Sequence, residues 1–93
     1  MSQRYIVRFS KKADKEFTKL AKRDPFSADL IAHWFEENIE GCEDPRVFGS
    51  GLRGNRSGEW RYRIGSYRVL AEIFDSEVVV EIIKLGHRSK VYK

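Results

Sequence analysis

Trp60-Arg61-Tyr62-Arg63-Ile64-Gly65-Ser66-Tyr67-Arg68-Val69 reads as two β-strands joined by a two-residue turn. Trp60, Tyr62 and Ile64 alternate with Arg61 and Arg63, which gives the first strand one apolar face and one guanidinium face. Gly65 suits the first central position of a type II′ turn, where φ is positive. That turn sets Ile64 opposite Tyr67, Arg63 opposite Arg68 and Tyr62 opposite Val69. Like charges directly across a ladder destabilise it, so something anionic is expected to compensate. A phosphate backbone fits, because guanidinium groups grip phosphate oxygens bidentately and stay charged at any physiological pH.

Downstream of the hairpin, Asp75-Ser76 or Asp75 to Glu77 makes a turn, and Val78 to Leu85 forms a last strand. Tyr67, Val69, Ala71 and Ile73 share the core face with Trp60, Tyr62 and Ile64, and their best partners are Val78, Val80 and Ile82. Glu77, Val79, Glu81, Ile83 and Leu85 then fall on the arginine face, beside Leu70 and Phe74. That mixed face is expected to be covered partly by a helix and partly by a ligand or partner, with Glu81 neutralising an arginine. The chain finishes Gly86-His87-Arg88-Ser89-Lys90-Val91-Tyr92-Lys93. A bend at Gly86 would fold His87 and Arg88 toward the arginine face, with Val91 anchoring the end so that Tyr92 is held near them.

Upstream, residues 4 to 9 alternate, with Tyr5, Val7 and Phe9 on one side, and suggest an opening strand. Ser10 caps a following helix in which Ala13, Phe17, Leu20 and Ala21 make an apolar stripe. The lysines 11, 12, 15, 19 and 22 read as its solvated face. Asp24-Pro25 is a cap followed by proline at the first helical position, and Gly41 is a stop, so a second helix is expected from Pro25 to Glu40. Phe26, Leu30, Ile31, Trp34, Phe35 and Ile39 are its expected buried stripe. His33, with no second ligand at helical spacing, reads as a packing or surface residue. Residues 41 to 58 hold five of the seven glycines and read as a loop. Leu52-Arg53-Gly54-Asn55-Arg56-Ser57-Gly58 matches neither the P-loop nor the dinucleotide fingerprint, and no helix follows. Arg53 and Arg56 stay as candidate substrate-positioning charges.

The chain is therefore α+β: an N-terminal strand, a two-helix hairpin, then a three-stranded antiparallel meander, forming one mostly antiparallel sheet packed on the helices. Ninety-three residues make a single domain spanning 1–93, too small for a separate cofactor domain. Residues 1 to 48 carry nine Lys or Arg against nine Asp or Glu, and residues 49 to 93 carry nine against five, so the net charge of +4 comes from the second half. Basic surface and apposed arginines thus coincide, as a nucleic-acid footprint requires. Cys42 is the single cysteine, which excludes an internal disulfide and a cysteine metal cage and suits a reducing compartment. With no apolar signal core and no apolar run long enough for a bilayer, a soluble cytoplasmic protein without a membrane partner is expected.

The element order, with Leu52-Arg53-Gly54, the hairpin and Gly86-His87-Arg88-Ser89-Lys90-Val91-Tyr92, resembles the RelE/ParE superfamily of bacterial type II toxins. Within it the chain resembles the RelE-like mRNA interferases more than the ParE-like gyrase inhibitors. The resemblance spans the whole chain and implies a ribosome-dependent endoribonuclease. That enzyme cuts mRNA in the 30S decoding site without a metal or other cofactor, by attack of a ribose 2′-OH on the adjacent phosphate. It also implies a cognate antitoxin that wraps the toxin, and operator DNA reached through the toxin–antitoxin complex. By position, the implied catalytic residues are Arg61, Arg63, Arg68, Arg88 and Tyr92. His87 stands where the best-known member has lysine, Arg61 and Arg63 replace lysines, and the Arg88 to Tyr92 segment is two residues shorter. Arg53, Arg56, Lys84 and Lys90 are the accompanying RNA-binding candidates.

Cleavage needs a base for the 2′-OH, an acid for the departing 5′-oxygen and cations for the charge that builds on the phosphate. Arginines supply the last and are poor bases, since their pKa stays above about 12. Histidine is the residue type here whose unperturbed pKa lies near neutrality, so His87 is assigned as general acid or base, with Tyr92 stacking on a base or assisting proton transfer. The competing readings are a non-catalytic gyrase inhibitor of the ParE kind, an operator-binding corepressor and an inactive relative.

Overall fold

The hairpin forms as its sequence dictates. In the computed structural model, which describes residues 3–56 and 58–91 and no side chain for Arg56, Gly65 has φ of +58° and Ser66 is not in the positive-φ region. This is the backbone of a type II′ turn. Strand β1 is Ile6–Phe9, helix α1 Lys11–Arg23, helix α2 Pro25–Asn38, β2 Ser50–Gly51, β3 Trp60–Ile64, β4 Tyr67–Phe74 and β5 Val79–His87, with one 3₁₀ turn at Gly54–Arg56. The sheet order is β1-β5-β4-β3-β2. The β2–β3, β3–β4 and β4–β5 pairs are antiparallel and β1 lies parallel to β5. The helical hairpin is the crossover that lets the first strand run parallel to the last.

Both helices start on the caps expected of them. Ser10 Oγ accepts the Ala13 N–H at 3.1 Å, and Asp24 Oδ1 accepts the Ser27 N–H at 3.2 Å while Oδ2 accepts the Ser27 hydroxyl at 2.6 Å. Those two bonds from Ser27 hold the Asp24 carboxyl below its usual range. The α1 stripe packs inward as expected, and its five lysines are exposed. Helix α2 stops at Asn38, two residues before the expected end. Glu40 has another use there: its Oε2 accepts the Val7 N–H at 2.7 Å on the outer edge of β1.

The α2 stripe differs from expectation. Ala28, Ile31, Phe35 and Ile39 are buried, whereas Phe26 is 77% exposed and Leu30 is 44% exposed. A helix turns about 100° per residue, so with the buried face centred on Ile31 and Phe35, Leu30 points about 120° and Phe26 about 160° away from it, toward solvent. The core lies between this face, Ala13 and Leu20 of α1, and the side of the sheet carrying Tyr62, Ile64, Val69, Ala71, Val80, Ile82 and Leu85. Tyr62 is fully enclosed, its hydroxyl donates to the Pro45 carbonyl at 2.7 Å, and burial pushes its phenol upward.

The last strand also departs from its simple alternation. Val80 and Ile82 pair with Ile73 and Ala71 as expected, but Lys84 pairs with Leu70. Ile83 is left without a partner, a β-bulge that inserts one residue and reverses the facing of all that follows. Leu85, expected on the arginine face, therefore enters the core, and Lys84 crosses to the arginine side. Val78, expected in the strand, belongs to the preceding turn with φ of +58°, and its carbonyl accepts the Ile6 N–H at 3.0 Å. Arg46 grips Asp75 at that turn with two bonds of 3.0 Å, and the Tyr5 hydroxyl donates to the same carboxylate at 2.6 Å. No helix among the described residues is long and apolar enough to cross a membrane.

Candidate nucleic-acid interface

The expected arginine opposition is present: Arg63 pairs directly with Arg68. Arg68 in turn pairs with Gly86, and in the next row Arg61 pairs with Leu70, which pairs with Lys84. The sheet face turned away from the helices thus carries three arginines and a lysine within two adjacent rows. Directly opposed Cβ atoms sit roughly 5 Å apart, so these cations repel unless an anion lies among them.

Local structure orients each group differently. Arg68 Nη1 donates to the Gly65 carbonyl at 3.0 Å and the Tyr67 carbonyl at 2.9 Å, so the guanidinium also closes the turn that created the pair. Arg61 Nη2 donates to Ser50 Oγ at 3.0 Å, which ties it to β2. Arg63 is exposed, as is Arg88, and neither forms a salt bridge among the described residues. Glu81 is engaged elsewhere: it binds Arg8 of β1 at 2.7 Å.

The chain end folds onto the same face. Arg88 N–H donates to the Ser66 carbonyl at 2.8 Å, and the Lys90 and Val91 N–H groups return to the His87 carbonyl at 2.8 and 3.0 Å. Val91 is buried against Gly86, where a Cβ would stand 3.8 Å from it. The expected anchor is therefore in place, with Arg88 and Lys90 exposed around it. Tyr92 lies outside the described residues. Arg53 is exposed on the loop after β2, and the Arg56 side chain is likewise outside the description.

His87 does not join the arginines. The bend expected at Gly86 comes one residue later, so His87 remains in β5 opposite Tyr67, their rings edge to face with centroids 5.8 Å apart. Tyr67 packs against the helix-side core, so the sheet stands between the imidazole and the arginine pair. The bulge at Ile83 is the cause, since without its extra residue His87 would have the parity of the arginine face. His87 Nδ1 lies 2.9 Å from Ser89 Oγ and accepts the Ser89 N–H at 3.3 Å. Both contacts use Nδ1, so Ser89 holds the ring through that nitrogen.

Sequence reasoning missed two residues of this region. Trp34, assigned to the buried stripe, and Phe48, assigned to a featureless loop, line a cleft of about 650 Å³ together with Arg61 and Arg63. The adjacent Gly49 was the available signal: its φ is +78°, and a Cβ there would collide with the Arg61 carbonyl.

Fold and cationic face together define a small toxin of the RelE/ParE superfamily. The chain belongs to the family described as the ParE toxin of the type II toxin–antitoxin system parDE, whose model matches residues 7–92. It is similar to toxin RelG of Mycobacterium tuberculosis, 30% identical over 89 residues covering 96% of this chain and 97% of that one. It is also similar to the mRNA interferase toxin RelE of Escherichia coli K12, 31% identical over 93 residues covering 95% and 90%. Among solved structures, the toxin–antitoxin complex RelBE2 of M. tuberculosis matches with a TM-score of 0.75 at 29% identity, covering 92% of this chain and all of that one.

Proposed function

We propose that this toxin is a ribosome-dependent endoribonuclease that cleaves mRNA in the 30S decoding site, and that a cognate antitoxin restrains it. The observation that carries the reading is the Arg63–Arg68 opposition, with Arg61 and Lys84 in the adjoining row. Two guanidinium groups held side by side form a grip that a phosphodiester laid across them satisfies bidentately.

In the proposed reaction the ribose 2′-oxygen attacks the adjacent phosphorus, its proton passes to a base, and the bond to the 5′-oxygen breaks as that oxygen takes a proton from an acid. Arg61, Arg63, Arg68 and Arg88 hold the phosphate oxygens as negative charge accumulates on them. Arg53, Arg56, Lys84 and Lys90 position the strand on either side. Tyr92 is assigned to assist proton transfer, and His87, across the sheet from the arginine pair, is assigned a contact with RNA that passes around the hairpin tip. The relatives' names, an mRNA interferase and a toxin solved with its antitoxin, support this reading. Operator DNA is the further partner of the toxin–antitoxin complex, and the cytoplasm is where all of these partners meet.

The family model's ParE description favours one second reading, a non-catalytic inhibitor of DNA gyrase. Induction of the protein separates the two. Early loss of mRNA integrity and translation supports the ribonuclease; early loss of DNA supercoiling with intact messages overturns it.

A further inference from the structure

The cleft at the open edge of β3 contains chemistry that the phosphate grip does not use. β2 pairs only with Trp60 and Arg61, so β3 is uncovered beyond Arg61, and there the cleft opens. Its walls are Trp34, Phe48, Gly49, Ser50, Arg61 and Arg63, and its volume of about 650 Å³ falls within the ~300–1,000 Å³ of sites that take small ligands.

Trp34 and Phe48 meet at 77° with centroids 5.5 Å apart, so two ring surfaces form a corner. Phe48 is 38% exposed, yet its backbone is fixed: Trp60 Nε1–H donates to its carbonyl at 2.6 Å. Gly49, next in the chain, presses so closely on the Arg61 carbonyl that no side chain fits between them. A large aromatic side chain is thus held out of the core by a rigid loop beside two guanidinium groups. Unstacked bases are recognised in this way, by aromatic faces and arginine planes next to a cationic track for the backbone.

We propose that this cleft receives one unstacked nucleobase of the RNA strand whose phosphates lie along Arg61, Arg63 and Arg68. Trp34 and Phe48 then set where on the codon the strand is cut. The assignment rests on the ribonuclease reading above and deepens it. Arg63 belongs to both parts, facing the phosphate at one end and the base at the other.

The test uses the full-length toxin and ribosomes programmed with messages carrying an abasic nucleotide at each position of the decoding-site codon in turn. For the wild type, removing the base at one position should slow cleavage on the order of tenfold. Phe48→Ala and Phe48→Leu should cleave the intact and abasic messages at nearly equal rates, the second variant keeping an apolar side chain so that the loop stays folded. Arg68→Ala should slow both messages alike. A base-to-abasic contrast in both Phe48 variants that equals the wild-type contrast at every position would overturn the subsite while leaving the ribonuclease reading intact. A wild-type toxin that cleaves no message would overturn both.

Discussion

Lys84 stands opposite Leu70 across the β4–β5 ladder, and Leu70 stands opposite Arg61, so a cation flanks Leu70 on each side. The unpaired Ile83 creates this arrangement by shifting parity, and the same shift carries His87 to the helix side. Lys84 is therefore expected to act as a phosphate contact, without base preference. Lys84→Ala should weaken RNA binding uniformly across sequences and lower the slope of log affinity against log salt by about 0.7, the single-strand value per contact. Titrations at several salt concentrations read this directly; an unchanged slope would place Lys84 off the RNA path.

Arg63 should show opposite effects on stability and function. Relieving the repulsion with Arg68 by Arg63→Gln is expected to raise unfolding free energy by roughly 0.2–1 kcal/mol, while cleavage falls. Urea unfolding beside a cleavage assay checks both signs. A destabilised Arg63→Gln would mean that the pair is already compensated within the folded chain.

Gly41 and Gly49 share a φ of +78°, but a Cβ at Gly41 meets nothing within 4 Å whereas one at Gly49 collides with β3 backbone. Gly41→Ala should cost about 1 kcal/mol for the left-handed backbone alone, and Gly49→Ala more than about 2 kcal/mol because the loop must also move. Thermal melts of the two variants, compared at equal concentration, measure the difference. Equal losses would show that the loop carrying Phe48 is not held against Arg61.

Asp75 should contribute to acid sensitivity. The Arg46 guanidinium, and then the Tyr5 hydroxyl, hold its carboxyl below the usual range. A group depressed in the folded state lends stability that is present above its ordinary pKa, near 4, and is lost as pH falls through the lower folded value. Stability of the wild type should therefore decline as pH drops below about 4, with a shallower decline in Asp75→Asn. Chemical denaturation at a series of pH values tests this, and identical slopes would contradict it.

The sequence told most where geometry is local. Gly65-Ser66 with flanking alternation sufficed for the Arg63–Arg68 register, and Ser10 and Asp24-Pro25 sufficed for both helix starts. The bulge was not legible, because Glu81, Ile83 and Leu85 continue an ordinary alternation, whereas the extra residue goes with contacts between distant segments: Leu85 packs into the core opposite Val69, and its N–H donates to the Glu16 carboxylate at 3.0 Å. His87 was misplaced for that reason alone. The parallel β1–β5 pairing is a contact between distant segments that no local pattern encodes. Phe26 and Leu30 illustrate a further limit: hydrophobic spacing marks a helix face but cannot say how wide the core beneath it is.

The apposed arginines Arg63 and Arg68 are proposed to hold the reacting phosphodiester. Cleavage of ribosome-bound mRNA by the wild type, Arg63→Ala and Arg68→Ala tests it most directly. Discrete cuts within the decoding-site codon are expected for the wild type, with a loss on the order of 10²-fold or more for each variant. Wild-type cleavage rates in both variants, or intact messages throughout, would contradict it.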